Sequence, residues 1–273
     1  MHIAIATSHL PLPPSDQALA VALGSFRIPV HPEIWSAPGV SWQTFDAVLV
    51  RSCWDYHLRE AEFLQWLSRL EGLKVRVLNS PALLRWNRNK RYLRELEQQG
   101  NAIPATVWLG EGEQVDVAQV CTAKGWNQAV IKPLVSASAY RTERRSSGVV
   151  SGEMMLQEYL PAIEEEGEWS LMWFNHRFSH AVRKRPRQGD FRVQQELGGT
   201  AETAIPDTEL LEFSARVLTR LPERAVWARV DLLRSGGLVV LMELEVIEPE
   251  LFLSAAAGTD MLAARAVLSA LAS

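Results

Sequence analysis

Cysteine is nearly absent, with two residues, Cys53 and Cys121, in a chain of 273. Two thiols cannot build a disulfide framework or a zinc cluster, and they read as reduced thiols of a cytoplasmic protein. Long apolar runs are also missing. No stretch approaches the roughly 20 uninterrupted apolar residues of a membrane span, and the opening segment has no basic n-region of a signal peptide. Nor is there an excess of positive charge: 28 Lys and Arg against 32 Asp and Glu leave a net charge of −4. Neither nucleic acid nor an anionic membrane surface is therefore expected as a partner. The phosphate loop GxxxxGK(S/T) is absent, as is GxGxxG after the first strand, so a bound nucleotide would need another device. Internal repeats and low-complexity tracts are lacking too.

What is present is ordinary globular material, 47% hydrophobic and 22% charged, long enough for about two domains. Ten tryptophans read as core and rim packing. Apolar periodicity predicts strands at 2–7, 45–50 and 75–78, with helices at 16–26 and 60–70 between them. Such alternation argues for a small parallel α/β sheet, with Ser52 to Tyr56 at the carboxyl edge of its strands. Ser80 can cap a helix that starts at Pro81, which makes 79–81 the best boundary. Beyond it the pattern predicts a helix over 87–99 stopping at Gly100, strands at 104–109 and 129–132, and a loop over 136–147. The remainder becomes antiparallel α+β: a strand at 154–160, a hairpin around Asn175-His176, and another around Ser235-Gly236-Gly237. Helices are expected near 208–221 and 259–271.

Four constellations can carry chemistry. On the last hairpin, side chains alternate, so Arg229 shares a face with Asp231 and Glu243 with Glu245. A three-residue turn would bring both sets to one face, whereas a two-residue turn would put them on opposite faces. Three converging carboxylates repel one another, and a hard cation such as Mg²⁺ bridged to phosphates relieves the cost. A solvated acidic strand pair neutralised by Arg229 is the alternative. Lys132 emerges from the buried run 129–131 and needs an anion, while Lys90 stands in a first helical turn that disfavours a cation unless an anion is near. The strand with Gln157, Glu158, Tyr159 and Leu160 gives way to Pro161, leaving backbone groups that could read an adenine edge, and Glu168 could accept from ribose hydroxyls. The basic run 180–192, with Arg183, Lys184 and Arg192, suits a triphosphate, a solvated loop or RNA; aromatics do not interleave as in a single-strand platform.

Taken in order, these residues resemble the ATP-grasp superfamily of ligases. The resemblance covers about 81–253, and the first eighty residues look like the small α/β domain that precedes the grasp. It implies a pre-grasp domain over 1–80 and an ATP-grasp domain over 81–273, with a small nucleotide lid at about 102–158 and a largely antiparallel C-terminal sheet. It further implies ATP and Mg²⁺ as cofactors. Lys90, Lys132 and Lys184 would meet the phosphates, Gln157 to Leu160 would hold adenine and Glu168 ribose. Asp231, Glu243 and Glu245 would hold the metal. Arg229 stands two residues before Asp231, as does the arginine that stabilises the tetrahedral intermediate in D-alanine–D-alanine ligase. Arg183 and Arg192 match basic positions near the transferred phosphoryl in glutathione synthetase-like ligases.

The segments 50–57, 136–140 and 243–249 look like the cycloserine synthetase group, whose members close O-ureido-D-serine to D-cycloserine with ATP. That resemblance implies a small amino-acid-like substrate, with Arg51, Asp55 and Tyr56 as pocket candidates, no nucleic acid, no membrane, and a homodimer left open. Two departures from the superfamily stand out: Glu245 replaces the usual Asn, and the stretch from Lys132 to Gln157 is short, with only Arg141 to Gly152 remaining where relatives usually fit a helix. A non-catalytic ATP-binding module is the alternative function. A thiol enzyme using Cys53 is a third reading with little support.

Overall fold

The computed structural model describes residues 1–272. The chain opens with β1 (Ile3–Thr7), α1 (Pro14–Ser25), β2 (Val30–Ile34), β3 (Ala47–Val50), α2 (Glu60–Gly72) and β4 (Arg76–Leu78). These four strands form one parallel sheet in the order β2-β1-β3-β4. The expected alternation is there, with one addition, β2, which carries Pro32. It lies at the sheet edge, where proline costs no ladder bond.

Then come α3 (Pro81–Asn87), α4 (Tyr92–Gln98), β5 (Thr106–Trp108), β6 (Gln114–Asp116), α5 (Val117–Lys124), β7 (Ala129–Pro133), β8 (Glu143–Arg145), β9 (Val149–Ser151) and β10 (Met154–Glu158). Ser80 does cap α3, accepting from the Leu83 N–H at 3.2 Å. The single helix expected over 87–99 is instead a four-residue turn followed by α4. In that turn the Lys90 N–H leaves the helical pattern to donate to Leu134 O at 2.7 Å, and the Arg91 N–H donates to Asn89 Oδ1. The expected loop over 136–147 contains β8, a charged strand at the end of the sheet β5-β10-β7-β8. Charged side chains are a usual protection for such an edge.

The last third holds α6 (Ala162–Glu165), β11 (Glu168–Phe174), β12 (Arg177–Arg185), β13 (Thr200–Ala204), α7 (Thr208–Leu218), β14 (Trp227–Ser235), β15 (Leu238–Glu245) and α8 (Thr259–Ala272). Its sheet is antiparallel in the order β13-β12-β11-β14-β15. Leu171, Val230 and Leu244 line one face and pack on Leu210, Phe213 and Val217 of α7 and on Leu93 and Leu96 of α4. A second core joins Ile3, Ile5 and Leu49 of the parallel sheet to Met172, Phe174 and Trp227, with α8 packed beside α1. We propose residues 79–80 as the junction of two units, with α8 crossing back over the first. Among the described residues no helix is long and apolar enough to cross a membrane.

Three side chains hold the outer edge of β15 and the chain beyond it. Asn79 donates to Trp227 O (3.0 Å) and Val246 O (2.8 Å) and accepts from the Val226 N–H. Asn87 donates to Leu244 O and accepts from the Val246 N–H, and the Leu244 N–H donates to the Tyr92 hydroxyl. The outer edge of β15 is thereby satisfied by side chains instead of a further strand. Asn79 is fully buried. Asn79→Ala should cost about 2–4 kcal/mol, since each backbone group left buried without a partner costs about 1–3 kcal/mol. A urea midpoint unchanged from the parent would contradict this role.

Candidate active site

The sheet's other face floors a large cleft. Its polar side chains follow from strand alternation and register: Glu168 lies opposite Lys184, Ser170 opposite Asp231, Asp231 opposite Glu243, and Arg229 opposite Glu245. The hairpin turn is two residues, Gly236-Gly237, both at positive φ (58° and 79°), as a tight hairpin of the mirror-image type requires. By alternation alone this turn would send Arg229 and Asp231 to the face opposite Glu243 and Glu245. A β-bulge restores them: Leu232 pairs with Leu241 but Asp231 with Glu243, so Met242 is the extra residue and the register shifts by one. All four charged groups thus share one face.

They form a chain of alternating charge. Glu168 pairs with Lys184 at 2.5 Å, and Lys184 with Asp231 at 3.1 Å. Asp231 also accepts from Ser170 Oγ at 2.6 Å and from Arg229 Nη2 at 2.9 Å. Arg229 continues to Glu245 at 2.5 Å. Lys90 pairs with Glu243, and Lys132 donates to Gln157 Oε1 at 3.1 Å. Gly167, at φ +90°, makes the first pair possible, because a Cβ there would lie 2.5 Å from Lys184 O. One carboxylate oxygen each from Asp231, Glu243 and Glu245 lies within 4.8 Å of the others. This all-oxygen set fits a hard divalent cation such as Mg²⁺.

Electrostatics differentiate the carboxylates. Burial opposes ionisation of Asp231, but Arg229 and Lys184 outweigh it and hold the group well below the usual carboxylate range. Burial likewise opposes Glu243, and Lys90 with Lys132 keeps it low. For Glu245 burial wins; Arg229 restrains it, Glu243 and Asp231 repel it, and its carboxyl rises to about 7. Glu168 is also raised by burial, against the pull of Lys184. Lys90 and Lys184 resist burial through their acidic partners and stay raised. Lys132 is lowered, first by burial and then by repulsion from Lys90. The Glu243 and Glu245 side chains keep 30% and 22% of their surface open, so solvent in the cleft tempers these effects.

Most of the residues singled out from sequence converge here: Lys90, Lys132, Gln157, Glu158, Tyr159, Leu160, Glu168, Lys184, Arg192, Arg229, Asp231, Glu243, Glu245 and Tyr56 all line the cleft. Three do not. Arg51, 2% exposed, donates to Asp16 at 2.9 Å and to Pro249 O at 2.8 Å and lies over the Trp227 ring. It braces the chain outside the cleft. Asp55 accepts from Trp35 Nε1 at 2.7 Å, away from the cleft. Arg183 alternates with Lys184, so its guanidinium turns to the other face and stacks on Trp169. Arg192 reaches the cleft but is held by Asp190 at 2.8 Å. Cys53 is fully buried with its thiol on Ala6 O, and burial raises it far above the ordinary thiol value, which removes it as a nucleophile.

Other residues escaped the sequence reading. Ser170 anchors Asp231, yet a serine inside an apolar strand gives no signal before register is known. Arg88 lines the cleft, pairs with Glu60, and has a buried Nε without a partner. The segment 136–139 closes one wall, with Tyr140 against the His57 ring at 5.0 Å. The segment between Lys132 and Gln157 holds β8 and β9, and among the described residues it contains no helix.

Comparison with known proteins places this arrangement. The family model for the D-cycloserine synthetase DcsG N-terminal domain matches residues 3–79. The glutathione synthetase of Parasynechococcus marenigrum (strain WH8102) is 30% identical over 244 residues, covering 82% of this chain and 70% of that protein. The chain belongs to the ATP-grasp superfamily of ligases. Within it, the likeness runs to the cycloserine synthetase group: the cycloserine biosynthesis protein DcsG of Streptomyces lavendulae is 28% identical over 247 residues, 81% of each chain. The fold agrees. A crystal structure of D-cycloserine synthetase DcsG superposes with a TM-score of 0.86 at 24% identity, covering 99% of this chain and all of that one. The ATP-grasp ligase PsnB, in a complex with a precursor variant, Mg and ADP, matches at 0.65 and 14% identity, covering 99% and 98%.

The raised Glu245 carboxyl has a consequence for stability. The folded chain keeps this proton where the unfolded chain, near the ordinary value of 4.5, has lost it. Its contribution to stability therefore falls as pH rises from 4.5 to about 7 and is level above that. In metal-free buffer, Glu245→Gln should gain on the parent across that window and run parallel to it at higher pH. Denaturation midpoints whose difference stays constant from pH 4.5 to 7 would contradict it.

Proposed function

We propose that the protein is a Mg-ATP-dependent ligase that activates the carboxylate, or equivalent carbonyl, of a small amino-acid-like substrate as an acyl phosphate. An amine-type nucleophile then displaces the phosphate, and a cycloserine synthetase-like ring closure is the finer form of this reading. The observation that carries it is the group of three carboxylates within 4.8 Å of one another, on the floor of a cleft lined by Lys90, Lys132 and Lys184.

Mg²⁺ held by Asp231, Glu243 and Glu245 would supply charge neutralisation and polarisation of the transferred phosphoryl group. The chain's own residues do the rest. Lys90 and Lys132 stand close enough to repel one another, so a polyanion between them relieves a cost already present. Glu243 holds Lys90 and contributes to the three-carboxylate group, so its two partnerships compete. Beyond the lysines, Gln157 to Leu160 would hold adenine. The Tyr159 N–H is taken by Gln128 O at 3.1 Å, whereas the Leu160 N–H has no partner among the described residues. Arg229 is braced on two sides by Asp231 and Glu245 and touches Glu250 O only at 3.5 Å through Nη1. That corner of the guanidinium can meet a developing oxyanion, where a fixed donor acts without reorganisation. Arg183 has no part in this scheme. Glu168 can serve the ribose only by sharing its carboxylate with Lys184.

A non-catalytic ATP-binding module is favoured by one observation, the two short strands that stand where relatives carry a lid helix. ADP release with Mg-ATP and a panel of D- and L-amino acids, including O-ureido-D-serine, separates the two. Turnover is expected with at least one member. Glu243→Gln should lower it about 10²–10³-fold, the usual effect of removing one electrostatic element of a transition-state site. Tight ATP binding without turnover on any member would favour the module.

A further inference from the structure

Four acidic residues are buried among the described residues: Asp16, Glu168, Asp231 and Glu248. Asp16 is paired with Arg51, Glu168 with Lys184, and Asp231 with Arg229 and Lys184. Glu248 is 8% exposed, lines the cleft, and its carboxylate has neither a hydrogen bond nor an ion pair among the described residues. Burying a carboxyl without a partner is costly, and structures that tolerate it commonly do so at a ligand site. Nor does Glu248 belong to the metal-type group, which consists of Asp231, Glu243 and Glu245.

The backbone at this point is fixed from the N-terminal sheet. Trp54 Nε1 donates to Glu248 O at 3.1 Å, and Arg51 donates to Pro249 O at 2.8 Å. Arg51 is itself held by Asp16. A fully buried ion pair is a weak source of stability, so its use here is to set the position of the next peptide. The same bracing brings the Trp54 ring beside Glu248, and both Trp54 and Tyr56 line the cleft. A buried carboxyl in a cleft wall that also carries Trp54 and Tyr56 suits a small organic cation: burial and the nearby Glu245 and Glu243 push the Glu248 carboxyl up, and an ammonium group beside it would supply the countercharge and the hydrogen-bond donors it lacks.

We propose that Glu248 receives the primary ammonium group of the acceptor substrate, so that the site selects amine-bearing small acids over plain carboxylic acids. The proposal rests on the ligase reading for the word substrate, but amine binding itself can be measured without turnover. Glu248 is a binding residue here, and Arg51 with Asp16 are positioning residues.

The test uses the full chain saturated with Mg²⁺ and a non-hydrolysable ATP analogue. Titration calorimetry compares each amino acid of the panel with its des-amino counterpart. At least one amino acid should bind at least about tenfold tighter than its counterpart, an energy of about 1.4 kcal/mol. Glu248→Gln should erase that difference while leaving ATP-analogue affinity and its Mg²⁺ dependence within about twofold of the parent, and Glu248→Asp should restore part of it. Three results would overturn the proposal: des-amino acids binding as well as amino acids, no amino acid binding the parent at about 10 mM, or a Glu248→Gln defect confined to Mg²⁺ affinity. The first two need no variant, so they stand even if the substitution disturbs folding. Amine binding without ADP formation would leave this proposal intact and remove the ligase reading.

Discussion

Asp231 is a buried carboxylate kept ionised by Arg229, Lys184 and Ser170, and much of the sheet's geometry follows from that requirement. Its three partners come from β14, β12 and β11, so satisfying one charge pins three strands in register. Each partner is committed in turn, Lys184 to Glu168 and Arg229 to Glu245. Such a network gains little over an apolar core of the same volume, but removing one member leaves an uncompensated buried charge. Its main product is placement: guanidinium, ammonium and carboxylates are held on one face before any ligand contributes.

The bulge at Met242 connects local chain geometry to that placement. The two-residue glycine turn suits the right-handed twist of β14 and β15, yet with regular pairing it would divide the charged set between core and cleft. One inserted residue reconciles the turn with the chemistry. It also leaves Leu232 and Leu241 in register inside the core, so the apolar face is undisturbed. The edge of β15 is then held by Asn79, Asn87 and Tyr92, and the turn between Asn87 and Tyr92 carries Lys90 to Glu243. A single stretch of chain thus stabilises the hairpin and delivers one of its cations.

The reach of the sequence can be judged from these particulars. Strands that are apolar runs, such as β1 and β3, are legible because burial on both faces writes itself into composition. Lys132 is legible because a charge at the end of a buried strand demands an explanation. The face of the acidic hairpin is not, since a bulge adds one residue without any distinctive residue type: Met242 looks like any apolar strand position. Arg51 misled for a related reason. An arginine at the carboxyl edge of a parallel sheet could meet a ligand or a partner, and its partner, Asp16, lies on a helix 35 residues earlier. Arg183 and Lys184 are adjacent in a basic run, and only strand alternation decides that Lys184 enters the cleft and Arg183 does not. The short strands β8 and β13 carry too few apolar residues to announce themselves.

The pairing of charges across the cleft floor also shapes how it can work. Mg-ATP brings cation and polyanion together, and the floor offers both signs in contact. On the proposed reading, Glu243 would exchange Lys90, and Glu245 would exchange Arg229, for the metal, leaving Lys90 to the phosphates and a corner of Arg229 to the developing oxyanion. No isolated charge need be desolvated at an intermediate stage, which is the step that makes buried ion binding expensive. Glu245 fits this exchange least tightly on the protein's side: burial and its acidic neighbours raise its carboxyl to about 7, so it can arrive protonated and must give up that proton to become a ligand. Glu248 stands outside the exchange, with no ion pair among the described residues to surrender. The cleft therefore separates two tasks by physical means. On the proposed reading, carboxylates with internal partners would serve the nucleotide and metal by swapping ions, and the buried carboxyl without an ion pair would distinguish what enters beside them.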